Sequence, residues 1–241
     1  MGMIKTKKEI KLLKKSAQIT DSCIPIIRES LKEDKITEKE IARRIRKNLK
    51  KQNATLAFET IVACGKRAAM IHAKPRSTNK KISGIGLVDF GACYKGYRTD
   101  MTVPFIKGKI SERERKIVVT VLQAYDVAIK SIKVGKYCWK SYEKTDKFLR
   151  NHGFRMVHSL GHGIGLKIHE LPYIWKTNKK LRGKKKLKWE KIKKIKFQES
   201  MIFTIEPAVY VKGLGGCRLE NDFLIEKKKI KSLTHANLIE V

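Results

Sequence analysis

The sequence has no stretch near the ~18 consecutive apolar residues that a membrane-spanning helix needs. Its charged start, Met1 to Lys8, lacks the apolar segment of a secretory signal. Its five cysteines, Cys23, Cys64, Cys93, Cys138 and Cys217, are odd in number and scattered, with no Cys-x-x-Cys pair. That pattern argues against a disulfide framework or a zinc ribbon and predicts a reducing, cytoplasmic setting. Acids are scarce: 23 Asp and Glu stand against 56 Lys and Arg in 241 residues, a formal charge of +33. Such a balance suits a polyanionic partner, although it says nothing of the fold. What the chain does have is 41% apolar residues, enough to build a core in one large domain or two small ones.

Three capping boxes mark helix starts: Thr6 with Glu9, Thr37 with Glu40 and Ser111 with Glu114. Behind the first, Ile10, Leu13, Ala17, Ile24, Ile27 and Leu31 follow the period of one long buried face. Ile41, Ile45 and Leu49 form a second stripe, and Ile117, Val121, Leu122, Tyr125, Ile129 and Ile132 a third, halted at Gly135. A fourth helix is expected over 139–151, with Gly153 as its stop. Between them lie strands, 85–93 and 98–106 about a Lys95-Gly96 turn, then 201–211 and 217–225 about the Gly-rich segment 212–216. Two helices and a hairpin, occurring twice, predict a duplicated α+β domain with helices covering one face of a curved sheet. The segment Lys176 to Lys196 stands apart as a dense lysine run with Trp189 and a few aliphatics interleaved. It reads as a solvated surface insertion, or alternatively as a nucleic-acid or membrane-surface contact.

Acids embedded in apolar strands carry the chemistry. A two-residue turn at Lys95-Gly96 sets Asp89 opposite Thr102, so Asp89 and Asp100 share one side of the hairpin. Glu206 and Glu220 lie symmetrically about Gly213 and would face each other across a second hairpin, with Pro207 marking a bulge or edge. Unpaired carboxylates so placed need protons, a basic partner or a metal. His158, His162 and His169 follow at spacings of four and seven among Gly161, Gly163 and Gly165, which let backbone pack closely around His162. Alone, either Asp reads more readily as a capped turn or a salt bridge, and a single histidine as a satisfied core residue. Together, Asp89, Asp100, His162, Glu206 and Glu220 could hold two divalent cations whose charge cancels the four carboxylates. Oxygen-rich ligation with one imidazole suits Mn, Co, Fe or Zn. Two such ions can share a bridging water and lower its pKa to give hydroxide at neutral pH.

The motifs Thr60-Ile-Val-Ala…His72, Val88-Asp89-Phe-Gly, Tyr97-Arg-Thr-Asp100, Gly161-His162-Gly-Ile-Gly…His169-Glu, Phe203-Thr-Ile-Glu206-Pro and Gly216-Cys-Arg218-Leu-Glu220 resemble the pita-bread metallopeptidases. That family includes methionine aminopeptidase, aminopeptidase P and Xaa-Pro dipeptidase, and the resemblance spans essentially the whole chain. It implies a pita-bread fold of duplicated helix–helix–hairpin halves in a single catalytic domain, 1–241, with the lysine-rich segment at about 176–196 as an insertion. No N-terminal accessory domain is expected. The resemblance implies metal ligation by Asp89, Asp100, His162, Glu206 and Glu220, with Glu206 also shuttling a proton. It implies substrate contact by His72 and His169, a third histidine of the proline-directed branch at His158, and an orienting role for Arg218. Arg218-Leu-Glu220-Asn-Asp is similar to the proline-directed style, whereas Tyr173 stands where dipeptidases tend to carry an arginine for the substrate carboxylate.

The activity so implied is a dinuclear-metal aminopeptidase acting on Xaa-Pro peptides through a bridging hydroxide. The alternatives are methionine aminopeptidase and a non-catalytic pita-bread protein that binds nucleic acid or ribosomes. The expected partner is a peptide substrate. A homodimer and a nucleic-acid contact through Lys176–Lys196 stay open, and no membrane is expected.

Overall fold

The computed structural model describes residues 2–75, 80–176 and 181–241. Residues 177–180 of the lysine-rich segment lie outside the described residues. The chain opens with α1 (Lys7–Asp21), α2 (Ile24–Lys32) and α3 (Glu38–Lys51). Strands β1 (Thr55–Leu56), β2 (Ile61–Cys64), β3 (Gly84–Phe90), β4 (Ala92–Tyr94), β5 (Tyr97–Arg98) and β6 (Met101–Lys107) follow. Two more helices, α4 (Glu112–Ser131) and α5 (Trp139–Asn151), precede β7 (Gly161–Gly163) and β8 (Glu170–Ile174). After α6 (Gly183–Ile192) come β9 (Ile202–Ile205), β10 (Ala208–Val211), β11 (Gly215–Arg218), β12 (Asn221–Glu226), β13 (Lys229–Ser232) and β14 (Ile239–Glu240).

The capping residues act as their chemistry dictates. Thr6 and Ser111 form reciprocal capping boxes with Glu9 and Glu114, and the Thr37 hydroxyl accepts the Glu40 amide. The long first stripe is a correction: it divides into α1 and α2 at Ser22–Cys23. Pro25 has no amide to continue the ladder and its ring would strike the carbonyl one turn back, so a new helix begins there instead. The helix over 139–151 forms as expected, and Gly153 leaves it with a positive φ of 84°. Ile27, Leu31, Ile41, Ile45 and Leu49 are fully buried in the same core as Val88, Phe90 and Phe105 of β3 and β6.

The α+β organisation holds, with helices packed against antiparallel sheets. One sheet runs β14-β6-β3-β2 and another β13-β12-β9-β7-β8, with two small ribbons, β1-β4-β5 and β10-β11, beside them. Only β14 against β6 is parallel among the described pairs. A lone bridge between Thr102 and Glu220 joins the two larger sheets at the centre. The expected hairpin registers are present: Lys95 and Gly96 both take positive φ, Tyr94 faces Tyr97, and Asp89 faces Thr102. Likewise Ala208 faces Arg218 and Asn221 faces Ile205, which leaves Glu206 and Glu220 opposite each other where the ladder opens. Neither hairpin is a continuous ladder. The strands break at Gly91, at Thr99–Asp100, at Glu206–Pro207 and at Leu219–Glu220, beside or at the acids singled out above.

Candidate active site

Each break in the ladder frees a backbone segment to aim an acid inward. Asp89 sits near the end of β3, and Asp100 stands just before β6 with its amide donating to Asp222 Oδ2 at 3.2 Å. Glu206 follows β9 and is held by its amide donating to the Leu160 carbonyl at 2.8 Å. Glu220 precedes β12, where it exchanges backbone hydrogen bonds with Thr102 and accepts the Thr102 hydroxyl at 2.8 Å. His162 lies at the middle of β7, hemmed by two glycines. A Cβ on Gly161 would stand 1.9 Å from the Thr204 carbonyl oxygen, and one on Gly163 would stand 2.0 Å from that of Leu171. Only glycine lets β9 and β8 approach β7 this closely, which confirms the reason inferred for these two residues.

These side chains converge. Ligand atoms of Asp100, His162 and Glu220 all lie within 4.8 Å of one another. His162 Nε2 is 3.7 Å from both Asp100 Oδ2 and Glu206 Oε1. Its Nδ1 faces the Gly163 carbonyl at 3.2 Å, so Nδ1 carries the proton and Nε2 turns its lone pair to the acids. Asp89 pairs through Oδ2 with Arg218, whose Nε is 3.0 Å from the Thr102 hydroxyl and 3.9 Å from Glu220 Oε2. Arg218 and Glu220 are 3% and 2% exposed, so one buried cation answers four clustered carboxylates.

That imbalance sets the protonation. Burial, reinforced by Glu220, holds Asp100 well above the usual carboxylate range. Burial and then Glu220 do the same to Glu206, with Arg218 opposing. Glu220 is pushed up to about 7 by burial and then by Asp89. Asp89 is raised by burial too, and Arg218 offsets part of it. Burial lowers His162 to about 3 and His158 to about 4. Asp89 Oδ1, Asp100 Oδ1 and Glu220 Oε1 are buried without a hydrogen-bond partner among the described residues. Buried oxygens are seldom left orphaned, and three in one cage, beside an imidazole lone pair, fit divalent cations.

The cage forms the floor of a cavity of about 440 Å³. His72, His158 and His169 line it, and Phe58, Ile61, Ile71 and Ile168 give it apolar walls. His169 meets the His162 ring edge-on at 4.3 Å between centroids. Neighbouring Glu170 is anchored by the buried ammonium of Lys5 at 2.8 Å. His158 donates from Nδ1 to the Ser159 carbonyl at 2.7 Å and receives the Tyr210 hydroxyl on Nε2 at 3.2 Å. The same hydroxyl accepts from Arg218. All nine residues singled out from the sequence therefore meet at one cavity.

Sequence reasoning missed Tyr210, Thr102, Asp222 and Lys5. Tyr210 carried a legible signal: it shares the alternation of Glu206 and faces Gly216, which leaves room for its ring. Lys5 carried none, because its partner is 165 residues away.

Comparison with known proteins identifies the family. The model of metallopeptidase family M24 matches residues 11–227. A Xaa-Pro dipeptidase of Pyrococcus furiosus is 32% identical over 237 residues, 97% of this chain and 64% of that protein. An uncharacterised peptidase of Methanocaldococcus jannaschii is 38% identical over 242 residues, 100% of this chain and 66% of that protein. The solved prolidase from Pyrococcus furiosus superposes with a TM-score of 0.85 at 32% identity, covering 98% of this chain and 66% of that one. An X-Pro aminopeptidase from Thermotoga maritima gives 0.84 at 29% identity over 99% and 65%. The chain thus spans just under two thirds of the length of these relatives. A family model that spans most of the chain, with relatives above 30% identity, places the chain in metallopeptidase family M24.

Proposed function

We propose that this chain is a cytoplasmic, metal-dependent aminopeptidase that removes the first residue of Xaa-Pro peptides. The observation that carries the reading is the acid cage, with three orphaned carboxylate oxygens and one imidazole lone pair on the floor of a cavity. Asp89, Asp100, His162, Glu206 and Glu220 would hold two divalent cations, manganese, cobalt, iron or zinc. Bound there, the cations would supply water activated for attack at neutral pH and polarisation of the scissile carbonyl.

This chain's own residues do the rest. Glu206, whose Oε1 lies 3.7 Å from His162 Nε2 at the cavity floor, would as a carboxylate take a proton from the attacking water and pass it to the leaving amine. His169 and His72, both on the cavity wall, donate to the substrate carbonyl and to the developing oxyanion. Arg218 keeps Asp89 oriented and, through Tyr210, fixes the ring of His158 beside the substrate. The apolar wall of Phe58, Ile61, Ile71 and Ile168 accepts an uncharged side chain or ring. Tyr173, which stands where dipeptidases tend to carry an arginine, offers no guanidinium fork for a free carboxylate, which favours tripeptides and longer over dipeptides.

Relatives named for Xaa-Pro peptides favour this specificity over methionine removal. The test is the rate of first-residue release from Met-Ala and Xaa-Pro peptides of two, three and more residues, with each metal in turn. Faster release from Xaa-Pro tripeptides than from Met-Ala peptides is expected. Hydrolysis that persists after exhaustive chelation would remove the metal-dependent reading, and a preference for Met-Ala would reassign the specificity.

A further inference from the structure

All three tryptophans of the chain, Trp139, Trp175 and Trp189, lie together around α6, and none of them lines the cavity. Trp175 meets Trp189 edge-on at 5.8 Å, and Tyr137 stacks on Trp139 at 6.4 Å and 22°. Cations are threaded through the rings. The Lys176 ammonium stands 5.0 Å from the Trp139 ring centre, Lys196 5.0 Å from that of Tyr137, and Lys188 4.7 Å from that of Tyr173. The indole N–H of Trp139 is spent inward on the Lys193 carbonyl at 3.1 Å, which pins the ring while it stays half-exposed.

The charge here is not balanced locally. From 176 to 196 there are twelve Lys and Arg against the single acid Glu190, so one short segment supplies a third of the net charge of +33. Glu190 is engaged by Lys193, and nearby Glu143 by Lys176. Lys184, Lys186, Lys188, Lys191, Lys194 and Lys196 are exposed and pair with no carboxylate among the described residues. A lysine-rich helix that served only solubility would not need its aromatic neighbours. Half-exposed rings alternating with free ammonium groups match the needs of unpaired bases, which stack, and of their phosphates, which require cations. A lipid surface is the poorer fit, because α6 offers one well-exposed aliphatic, Leu187, while Ile192 is 2% exposed.

We propose that the surface formed by α6, the start of α5 and β8 binds single-stranded nucleic acid. The bases stack on the exposed rings and the phosphates meet the unpaired lysines. Its rings and lysines do not line the peptidase cavity, although β8 carries Tyr173 opposite His162 of the cage.

Because every tryptophan lies in the patch, the intrinsic emission of the full chain reports on it directly. A uridine RNA of about 20 nucleotides, longer than the ~4–16 that one small binding fold covers, is titrated by anisotropy and by tryptophan quenching. A thymidine DNA of equal length, polyglutamate and phosphatidylserine vesicles are the comparison probes. Quenching by either oligonucleotide, with no change from polyglutamate or vesicles, is expected, and the ratio of the two oligonucleotides identifies the natural class. Replacing Lys184, Lys186, Lys188 and Lys191 with Gln should flatten the plot of log affinity against log salt by about 3, since each phosphate no longer neutralised removes about 0.7 from the slope. The matched change of Lys7, Lys8, Lys11 and Lys15 to Gln on α1 should leave that slope in place. Oligonucleotide binding without tryptophan quenching, or equal weakening in both variants, would overturn the proposal. Quenching by polyglutamate or vesicles as strong as by the oligonucleotides would give the surface to an acidic protein or a membrane instead.

Discussion

Removing divalent cations should make the protein lose stability as pH rises from about 6.5 to 8. In the metal-free cage, four carboxylates face one guanidinium, and Glu220 is raised from 4.5 to about 7. A carboxyl raised on folding binds its proton more tightly in the native state, so its contribution is complete below the unfolded value and is lost as pH climbs through the folded one. The full shift of Glu220 corresponds to about 3 kcal/mol, of which about 1 kcal/mol is lost above pH 6.5. Asp100, Glu206 and Asp222 are also raised and add the same sign. His162 and His158, lowered from 6.5 to about 3 and about 4, and His169, also lowered, act in the opposite direction, an opposition that fades as pH rises past about 7. Asp100 and Glu206, both held well above the usual carboxylate range, keep the net slope downward once that opposition has faded. Urea unfolding of the chelated protein at intervals from about pH 6.5 to 8 reads the slope, and saturating manganese should flatten or reverse it. A chelated protein whose midpoint is level or rises over that range would refute the picture of a cage that takes up protons when it has no cations.

Three further outcomes are expected. Glu206→Gln should keep the fold by circular dichroism and lower Xaa-Pro turnover by ~10²–10⁴-fold, the usual span for a lost proton carrier; undiminished turnover would take the proton shuttle away from Glu206. Gly161→Ala should push β7 from β9, because its methyl would stand 1.9 Å from the Thr204 carbonyl, and manganese affinity by calorimetry should fall with it. Leu49→Ala, which empties a fully buried position on α3 behind β1 and β2, should cost about 2–5 kcal/mol in urea while kcat/KM of the remaining folded enzyme stays unchanged.

Much of this site is legible in the sequence alone. The turn at Lys95-Gly96 set the register that places Asp89 opposite Thr102, since side-chain alternation along a hairpin leaves no freedom once the turn is known. The symmetry of Glu206 and Glu220 about Gly213 worked for the same reason, and their ladder opens where Pro207 removes a donor. The first helical stripe misled because periodicity is blind to a missing amide, and Pro25 ended the ladder while the apolar spacing continued. The three helix caps held because a cap is decided within four residues.

Local chemistry therefore determined the caps, the turns, the faces of strands and the identity of the acids, because each depends on neighbours a few residues away. Only the tertiary structure decided that Arg218 answers Asp89 across 129 positions, that Tyr210 ties that guanidinium to His158, and that Lys5 braces the residue beside His169. It also decided that three tryptophans far apart in sequence share one surface. Charge pairing and ring packing act through space over a few ångströms, and the chain brings such partners together only when both halves have closed around the cage.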